Sequence, residues 1–333
     1  MSKILVTGGA GFMGTHLVDA LIERGHKVWA MDDLSGGYRE NVNENAYFLR
    51  GDLRDKNMTD AATEDIDVVY HLAAYAAEGQ SIFSPIEIND INIDSMNKLM
   101  VAVVNNNVKK VVFTSSMAVY GNSQYPFDED MVKRPADPYG AAKAYCEDVL
   151  KQFAETYGFE YVIVRPHNVY GPRQNIADPF RNVLGIWMNR IMRGKPPIIF
   201  GDGDQVRAFS YIDDITIPLM NAGFYNVNGE IINLGSDEVK TINQACNIVI
   251  EAMGMKDKME PMYVDPRAAE VKYAYSTTEK SARLLDYKTN HTLAQGVYKM
   301  AKWAVNKGAQ QPTYRIPLEI TKNAPTHWVN QDG

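Results

Sequence analysis

Cysteine is nearly missing from this chain: two in 333 residues, Cys146 and Cys246, each inside a helical pattern. That excludes a disulfide framework, and neither cysteine has metal-ligand spacing, so no metal is expected. Both are expected to be buried thiols in a reducing cytoplasm. Basic runs are also absent, and the net charge is −7. Nucleic acid and anionic membranes are therefore excluded as expected partners. No apolar stretch approaches the length of a membrane span, and the N-terminus enters a strand pattern without a charged-then-apolar leader. The expectation is a soluble, unexported, cytoplasmic protein. Internal repeats and low-complexity segments are missing too.

What the chain has instead begins at Lys3-Ile4-Leu5-Val6-Thr7-Gly8-Gly9-Ala10-Gly11-Phe12-Met13-Gly14. An apolar strand runs into glycines and then into the helical pattern of Leu17, Val18, Leu21 and Ile22. A helix start carries unpaired N–H groups and partial positive charge, and glycines let that backbone approach a pyrophosphate. About 20 residues on, Asp32 closes the run Val28-Trp29-Ala30-Met31. Its carboxylate can accept both adenosine ribose hydroxyls and repel a 2′-phosphate, so the expected cofactor is NAD rather than NADP. Asp33 strengthens that reading, and no arginine follows before Arg39.

Short apolar runs alternate with helical patterns through the first half: Ile4–Thr7, Val28–Met31, Tyr47–Leu49, Val68–Leu72, Val111–Thr114 and Tyr161–Arg165. Runs without polar alternation are the mark of parallel strands covered on both faces. The fold expected is α/β, a Rossmann-type doubly wound parallel sheet with a smaller C-terminal α/β lobe. After Gly171-Pro172 the chain becomes Pro/Gly-punctuated. Residues 1–171 are therefore read as the NAD-binding domain and 172–333 as a substrate-binding lobe, with a segment near 205–235, strand-like at Glu230–Leu234, a candidate to return to the first sheet. The proline-containing tail from Pro312 is expected to wrap the surface.

Tyr139-Gly140-Ala141-Ala142-Lys143 follows Pro138, which suits the first turn of a helix. Positions i and i+4 share a helix face, so the phenol and the ammonium are expected side by side. A phenol near pKa 10 is a poor base at neutral pH, and a neighbouring cation lowers it toward the range general acid–base catalysis needs. The strand Val111–Phe113 ends in Thr114-Ser115-Ser116. Ligands of open α/β sheets sit beyond the carboxyl ends of the strands, which places Ser116 to hydrogen-bond a substrate oxygen beside Tyr139. Capping of the next segment is the alternative use of that hydroxyl.

Together with Gly51-Asp52-Leu53, His71-Leu72-Ala73-Ala74 and Arg165-Pro166-His167-Asn168-Val169-Tyr170-Gly171-Pro172, these motifs resemble the extended short-chain dehydrogenase/reductases, in their nucleotide-sugar epimerase/dehydratase group. The resemblance covers residues 3 to about 285. It implies that Gly8, Gly11, Phe12, Met13, Gly14, Asp32, Thr114, Tyr139 and Lys143 contact NAD. It further implies that Asp52 and Leu53 meet the adenine, that Leu72, Ala73 and Ala74 line the dinucleotide, and that Asn92 supports the site. Asn168, Arg207 and Arg267 would hold a substrate diphosphate, with Ser116, Tyr139 and Lys143 catalytic. Relatives pair through two helices, which here fall around Ile93–Val104 and Tyr145–Thr156, implying a homodimer. Their apolar residues Met96, Leu99, Met100, Val149, Leu150 and Phe153 suit a monomer core equally well.

The group begins its reactions by oxidising C4 of a nucleotide sugar. Dehydratases and several decarboxylases of the group carry an extra acid just after the serine, where this chain has Met117 and Ala118, which cannot transfer a proton. Return of hydride to the opposite face is then the expected outcome, a 4-epimerisation of UDP-glucose/UDP-galactose by resemblance; a dehydratase, decarboxylase or 4-reductase on the same scaffold is the alternative. The position that gates the sugar pocket in UDP-galactose 4-epimerases aligns with Ala274, whose small side chain leaves room for the N-acetyl group of UDP-GlcNAc/UDP-GalNAc. Two departures stand out. Glu78 follows the His71–Ala74 motif where relatives often carry a base nearby, and it would repel a 6-carboxylate. His167 replaces an aromatic hydrocarbon, either as a sugar contact or as a packed, hydrogen-bonded residue.

Overall fold

The structure, a computed structural model, describes residues 1–267 and 270–331. The glycine turn connects β1 (Lys3–Thr7) to a helix at Phe12–Glu23, and β2 (Lys27–Asp32), β3 (Tyr47–Arg50), β4 (Val68–His71), β5 (Lys110–Thr114) and β6 (Glu160–Pro166) follow. Shorter strands come next: β7 (Val169–Tyr170), β8 (Ile198–Phe200), β9 (Val206–Ala208), β10 (Ser210–Tyr211), β11 (Ile231–Leu234), β12 (Val239–Thr241), β13 (Met262–Val264) and β14 (Tyr273–Ala274). Seven of these build one parallel sheet in the order β11-β6-β5-β4-β1-β2-β3. The direction of winding reverses between β1 and β4. A crevice opens there at the carboxyl ends of the strands, which is where open α/β sheets bind ligands.

Burial explains the unbroken apolar strands. Val68, Val69 and Tyr70 of β4 and Val111, Val112 and Phe113 of β5 are all buried because helices cover both faces of the sheet. On one face Leu17, Val18 and Leu21 of the first helix pack with Ile215 and Leu219 of the helix Ile212–Ala222, at the helical spacing that puts residues on one stripe. The helices Ser95–Asn105 and Pro138–Tyr157 cover the other face, where Met96, Leu99, Met100, Val149 and Leu150 lie in the monomer core and Phe153 packs at its edge. Cys146 and Cys246 are both buried thiols, on the helices Pro138–Tyr157 and Ile242–Ala252.

The chain does not divide cleanly at residue 172. Helix Ile212–Ala222 and β11 both pack in the first lobe, while a second core forms around Trp187, Met188, Phe209, Val249, Val297 and Met300. Small sheets dress that second lobe: β12-β9-β14, β13-β8 and β10-β7. The tail departs from expectation. Rather than lying only on the surface, it buries Ile316 and Trp328 against Tyr75, Phe83 and Phe180, because a tail with few apolar residues can still spend those few in one place. Among the described residues no helix is long and apolar enough to cross a membrane.

Candidate active site

At the turn after β1, Gly8 takes φ +70°, and a Cβ there would stand 2.8 Å from the Ala73 nitrogen. Gly14 is tighter still, since a Cβ would overlap the Gly8 carbonyl. Backbone thus packs on backbone. Gly9 serves the same end against Ala30 and does not line the cleft, whereas Gly8, Gly11, Phe12, Met13 and Gly14 do. The helix starting at Phe12 has no side-chain cap and no acid in its first turn, so its leading N–H groups remain available to an anion. The Asp32 carboxylate is held at the rim by the N–H groups of Ala10 (3.0 Å) and Leu34 (2.8 Å), while burial pushes its pKa up. This cavity, about 230 Å³, also takes in Asp52, Leu53, Leu72, Ala73, Ala74 and Thr114. A dinucleotide fits its chemistry: donors without acceptors at one end, a carboxylate for hydroxyls beyond.

Two of the residues expected at the cofactor have polar partners within the protein. The Asp52 carboxylate is gripped by Arg54 through Nε and Nη2, at 3.0 and 2.8 Å, which holds its pKa down. Asn92 does not reach the cleft; its carboxamide accepts from Tyr75 N–H (3.0 Å) and donates to Ile88 (2.9 Å) and Tyr75 carbonyls, pinning the segment after Ala74. Thr7 acts similarly from β1, bonding His71 at 2.8 Å and taking the Ala73 N–H.

A larger cavity of about 450 Å³ shares Met13, Leu72, Ala74, Thr114 and Arg181 with the first, so the two are continuous. Ser116, Tyr139, Lys143, Asn168, Arg207, Arg267 and Ala274 all line it. Asp137 caps the helix at Pro138 by accepting from Gly140 N–H at 2.8 Å, and Pro138 occupies its first turn, which sets Tyr139 and Lys143 on the cleft-facing stripe. Ser116 caps the turn Met117–Val119 through Ala118 N–H (3.1 Å), the alternative use expected of its hydroxyl, and lines the larger cavity with Tyr139.

The phenol and the ammonium share a face without pairing. Lys143 Nζ donates to the Thr114 carbonyl at 2.9 Å and stands 5.9 Å from the Tyr139 ring centre. The expected lowering of the phenol by its neighbour is corrected accordingly: burial, then the Glu78 carboxyl, raise the Tyr139 pKa. Burial also brings Lys143 down to about 8. Arg207 and Arg267 converge on Glu270, at 2.9 and 2.7 Å. Asn168 adopts φ +38°, a conformation asparagine tolerates, and commits its Nδ2 to the Ala208 carbonyl at 2.8 Å. His167 is fully buried against Gly235 and lines neither cavity.

Three cleft residues escaped the sequence reading. Arg181 lies between the cavities, paired with Asp178 at 2.9 Å, a three-residue spacing that signals only an ion pair. His327 and Trp328 arrive from the tail, and no local pattern announces them. Glu78, noted for its charge alone, is exposed and lines the larger cavity, where desolvation and Asp137 push its pKa up to about 7.

The parallel sheet, glycine turn and adjoining tyrosine, lysine and serine are those of a dinucleotide-dependent enzyme. The profile of the NAD dependent epimerase/dehydratase family matches residues 4–235, and the chain belongs to that NAD-dependent family. It is 33% identical over 315 residues to the UDP-glucose 4-epimerase of Mycolicibacterium smegmatis, covering 92% of this chain and 99% of the relative. The UDP-N-acetylglucosamine 4-epimerase of Methanobrevibacter ruminantium M1, solved with UDP-N-acetylmuramic acid, superposes with TM-score 0.85 at 36% identity over 92% of this chain and 99% of its own. The Thermus thermophilus UDP-glucose 4-epimerase solved with NAD does so with TM-score 0.83 at 31% identity, over 90% and 98%.

Proposed function

We propose that this protein interconverts C4 epimers of a nucleotide sugar, UDP-glucose/UDP-galactose and also UDP-GlcNAc/UDP-GalNAc. The observation that carries the reading is that Ser116, Tyr139 and Lys143 line the larger cavity together, beside the hydrocarbon of Met117 and Ala118 and next to the cavity at the glycine turn. NAD, when bound, supplies reversible hydride acceptance at the sugar carbon. Tyr139 takes the proton of the 4-hydroxyl and later returns it. Ser116 hydrogen-bonds the same oxygen, and Lys143 contributes positive charge from its perch on Thr114. Arg207 and Arg267 hold the diphosphate by charge-assisted hydrogen bonds, exchanging Glu270 for phosphate oxygens. A cavity of about 450 Å³ leaves the sugar room to turn about that anchor and present its other face.

One observation favours a second reading. Glu78 lines the same cavity as Tyr139, so the cleft holds an acid that positions 117 and 118 lack, and a dehydratase could use it. Incubation with UDP-, GDP-, CDP- and dTDP-hexoses, followed by chromatography and mass spectrometry, separates the two. Epimerisation leaves product mass unchanged. Loss of water would replace it by the dehydratase reading, and no turnover of any sugar would sink both.

Ala274, buried on β14 beside Arg207 of β9, supports acceptance of N-acetylated sugars. Ala274→Tyr should abolish UDP-GlcNAc turnover and leave UDP-galactose turnover within about tenfold, since one side chain in a pocket discriminates by roughly 1–3 kcal/mol or more when it clashes. Equal losses on both substrates would overturn the gating role. The reading also carries a cytoplasmic homodimer paired through the helices Ser95–Asn105 and Pro138–Tyr157, on which Val101 and Tyr145 are exposed. Sedimentation of a Val101→Glu, Tyr145→Glu variant as a monomer is the expected result, and an unchanged dimer would refute that surface.

A further inference from the structure

A tail that merely wrapped the surface would need few fixed contacts. This one has many. Thr313 N–H donates to the Ala177 carbonyl (2.9 Å), Gln80 Nε2 to Ile316 (2.8 Å), and Ser84 Oγ to Pro317 (2.9 Å). The Glu319 carboxylate accepts from the N–H groups of Ile86 and Glu87, both at 2.9 Å, and the N–H groups of Glu319 and Ile320 both reach the Phe83 carbonyl. The tail therefore straps the second lobe to the segment that carries Glu78.

Its last turn, Thr326–Val329, delivers two rings to the cleft. Trp328 is 5% exposed and packs edge-on against Phe180, ring centres 5.0 Å apart, and His327 lies 5.3 Å from Phe200. The Arg267 guanidinium lies over the other side of this group, 4.7 Å from the Phe200 ring. A Cβ on Gly79 would meet the Trp328 ring at 3.2 Å and an Arg267 nitrogen at 3.3 Å, so the indole rim and the guanidinium border one gap. Guanidiniums suit phosphate, and flat aromatic surfaces suit a nucleobase. We propose that the C-terminal strap is a working part of the substrate site, with Trp328 and His327 forming an aromatic wall that binds the nucleoside diphosphate half of the substrate. This rests on the nucleotide-sugar reading above and adds to it a recognition element outside the motif-bearing region.

The test uses the full chain with UDP as the probe. Trp328→Ala should weaken UDP binding in calorimetry, and raise KM for the nucleotide sugar, by roughly tenfold, as expected for removal of an aromatic contact to a base, while kcat at saturation stays within about twofold. A strap that only supported the fold would instead lower the melting temperature and kcat together. Trp328→Phe keeps the packing, so it should bind UDP nearly normally yet lose most of the UDP-induced quenching of tryptophan fluorescence expected of the wild type. A folded Trp328→Ala variant with unchanged UDP affinity overturns the proposal. Should that variant fail to fold, full quenching in Trp328→Phe overturns it alone. Wild-type protein that turns over a sugar but shows no affinity for UDP would defeat the strap's role while sparing the catalytic reading, and wild-type protein that does neither defeats both.

Discussion

Tyr139→Phe should lower kcat by about 10²–10⁴-fold, the range in which a positioned acid–base group contributes, with bound NAD unchanged. The hydroxyl is the only difference between the two side chains, and the ring remains to pack among the residues that bury it. The structure makes the prediction sharper than the sequence does. Burial and the Glu78 and Asp137 carboxyls all disfavour a phenolate, and Ser116 and Arg181 are what oppose them. The base therefore acts only with help from positive charge, and Lys143 is the cation on its own helix face. With its pKa brought down to about 8, Lys143 is ammonium below that pH and neutral above it. kcat/KM should accordingly fall as pH rises through about 8, although free phenolate would become more abundant in the same direction. A fully active Tyr139→Phe enzyme would remove Tyr139 from the reaction, and a rate that climbs steadily to pH 10 would remove the need for the Lys143 charge.

Much of this site was legible because its chemistry depends on local spacing. Gly8 to Gly14, Asp32 and the Tyr139/Lys143 pair each declare themselves within one strand, turn or helix, where period and steric rules act directly. All seven strands of the main sheet announce themselves in the same way, as apolar runs within a residue or two of their ends, β11 among them as the run Glu230–Leu234. Long-range partnership is what spacing does not encode. Helical periodicity puts Lys143 on the Tyr139 face, but the ammonium is claimed by the Thr114 carbonyl on β5, and only the packed helix and strand determine that. Asp52 and Asn92 sit near the expected places, yet Arg54 and the Tyr75 backbone take their polar atoms. Glu78 was legible as a charge and illegible as a neighbour of Tyr139. Trp328 is the extreme case, separated from Phe180 by nearly half the chain and brought to it by hydrogen bonds along the strap.

Glu147→Ala should destabilise the fold by about 3–5 kcal/mol, the cost of leaving a buried charge without its partner. Glu147 and Arg165 have side chains 0% and 2% exposed, joined at 2.8 and 2.7 Å in a bidentate pair between the helix Pro138–Tyr157 and β6. Tyr120 extends the network, its hydroxyl accepting from Arg165 and donating to Asn233, both at 2.7 Å. The two charges are removable together, so Glu147→Met with Arg165→Met should regain most of the loss in urea denaturation, because well-packed hydrocarbon replaces a buried ion pair at little cost. Activity should not follow stability. Ser115 donates to Glu147 at 2.6 Å, and that bond fixes the end of β5 from which Ser116 enters the cavity it shares with Tyr139. In the double variant Ser115 loses its acceptor, so kcat should stay at least about tenfold below wild type, consistent with the sensitivity of catalysis to small displacements, even where the melting curve has recovered. Recovery of both together would show that the ion pair serves the fold alone, and failure of both would show that its charges cannot be exchanged for packing in this protein.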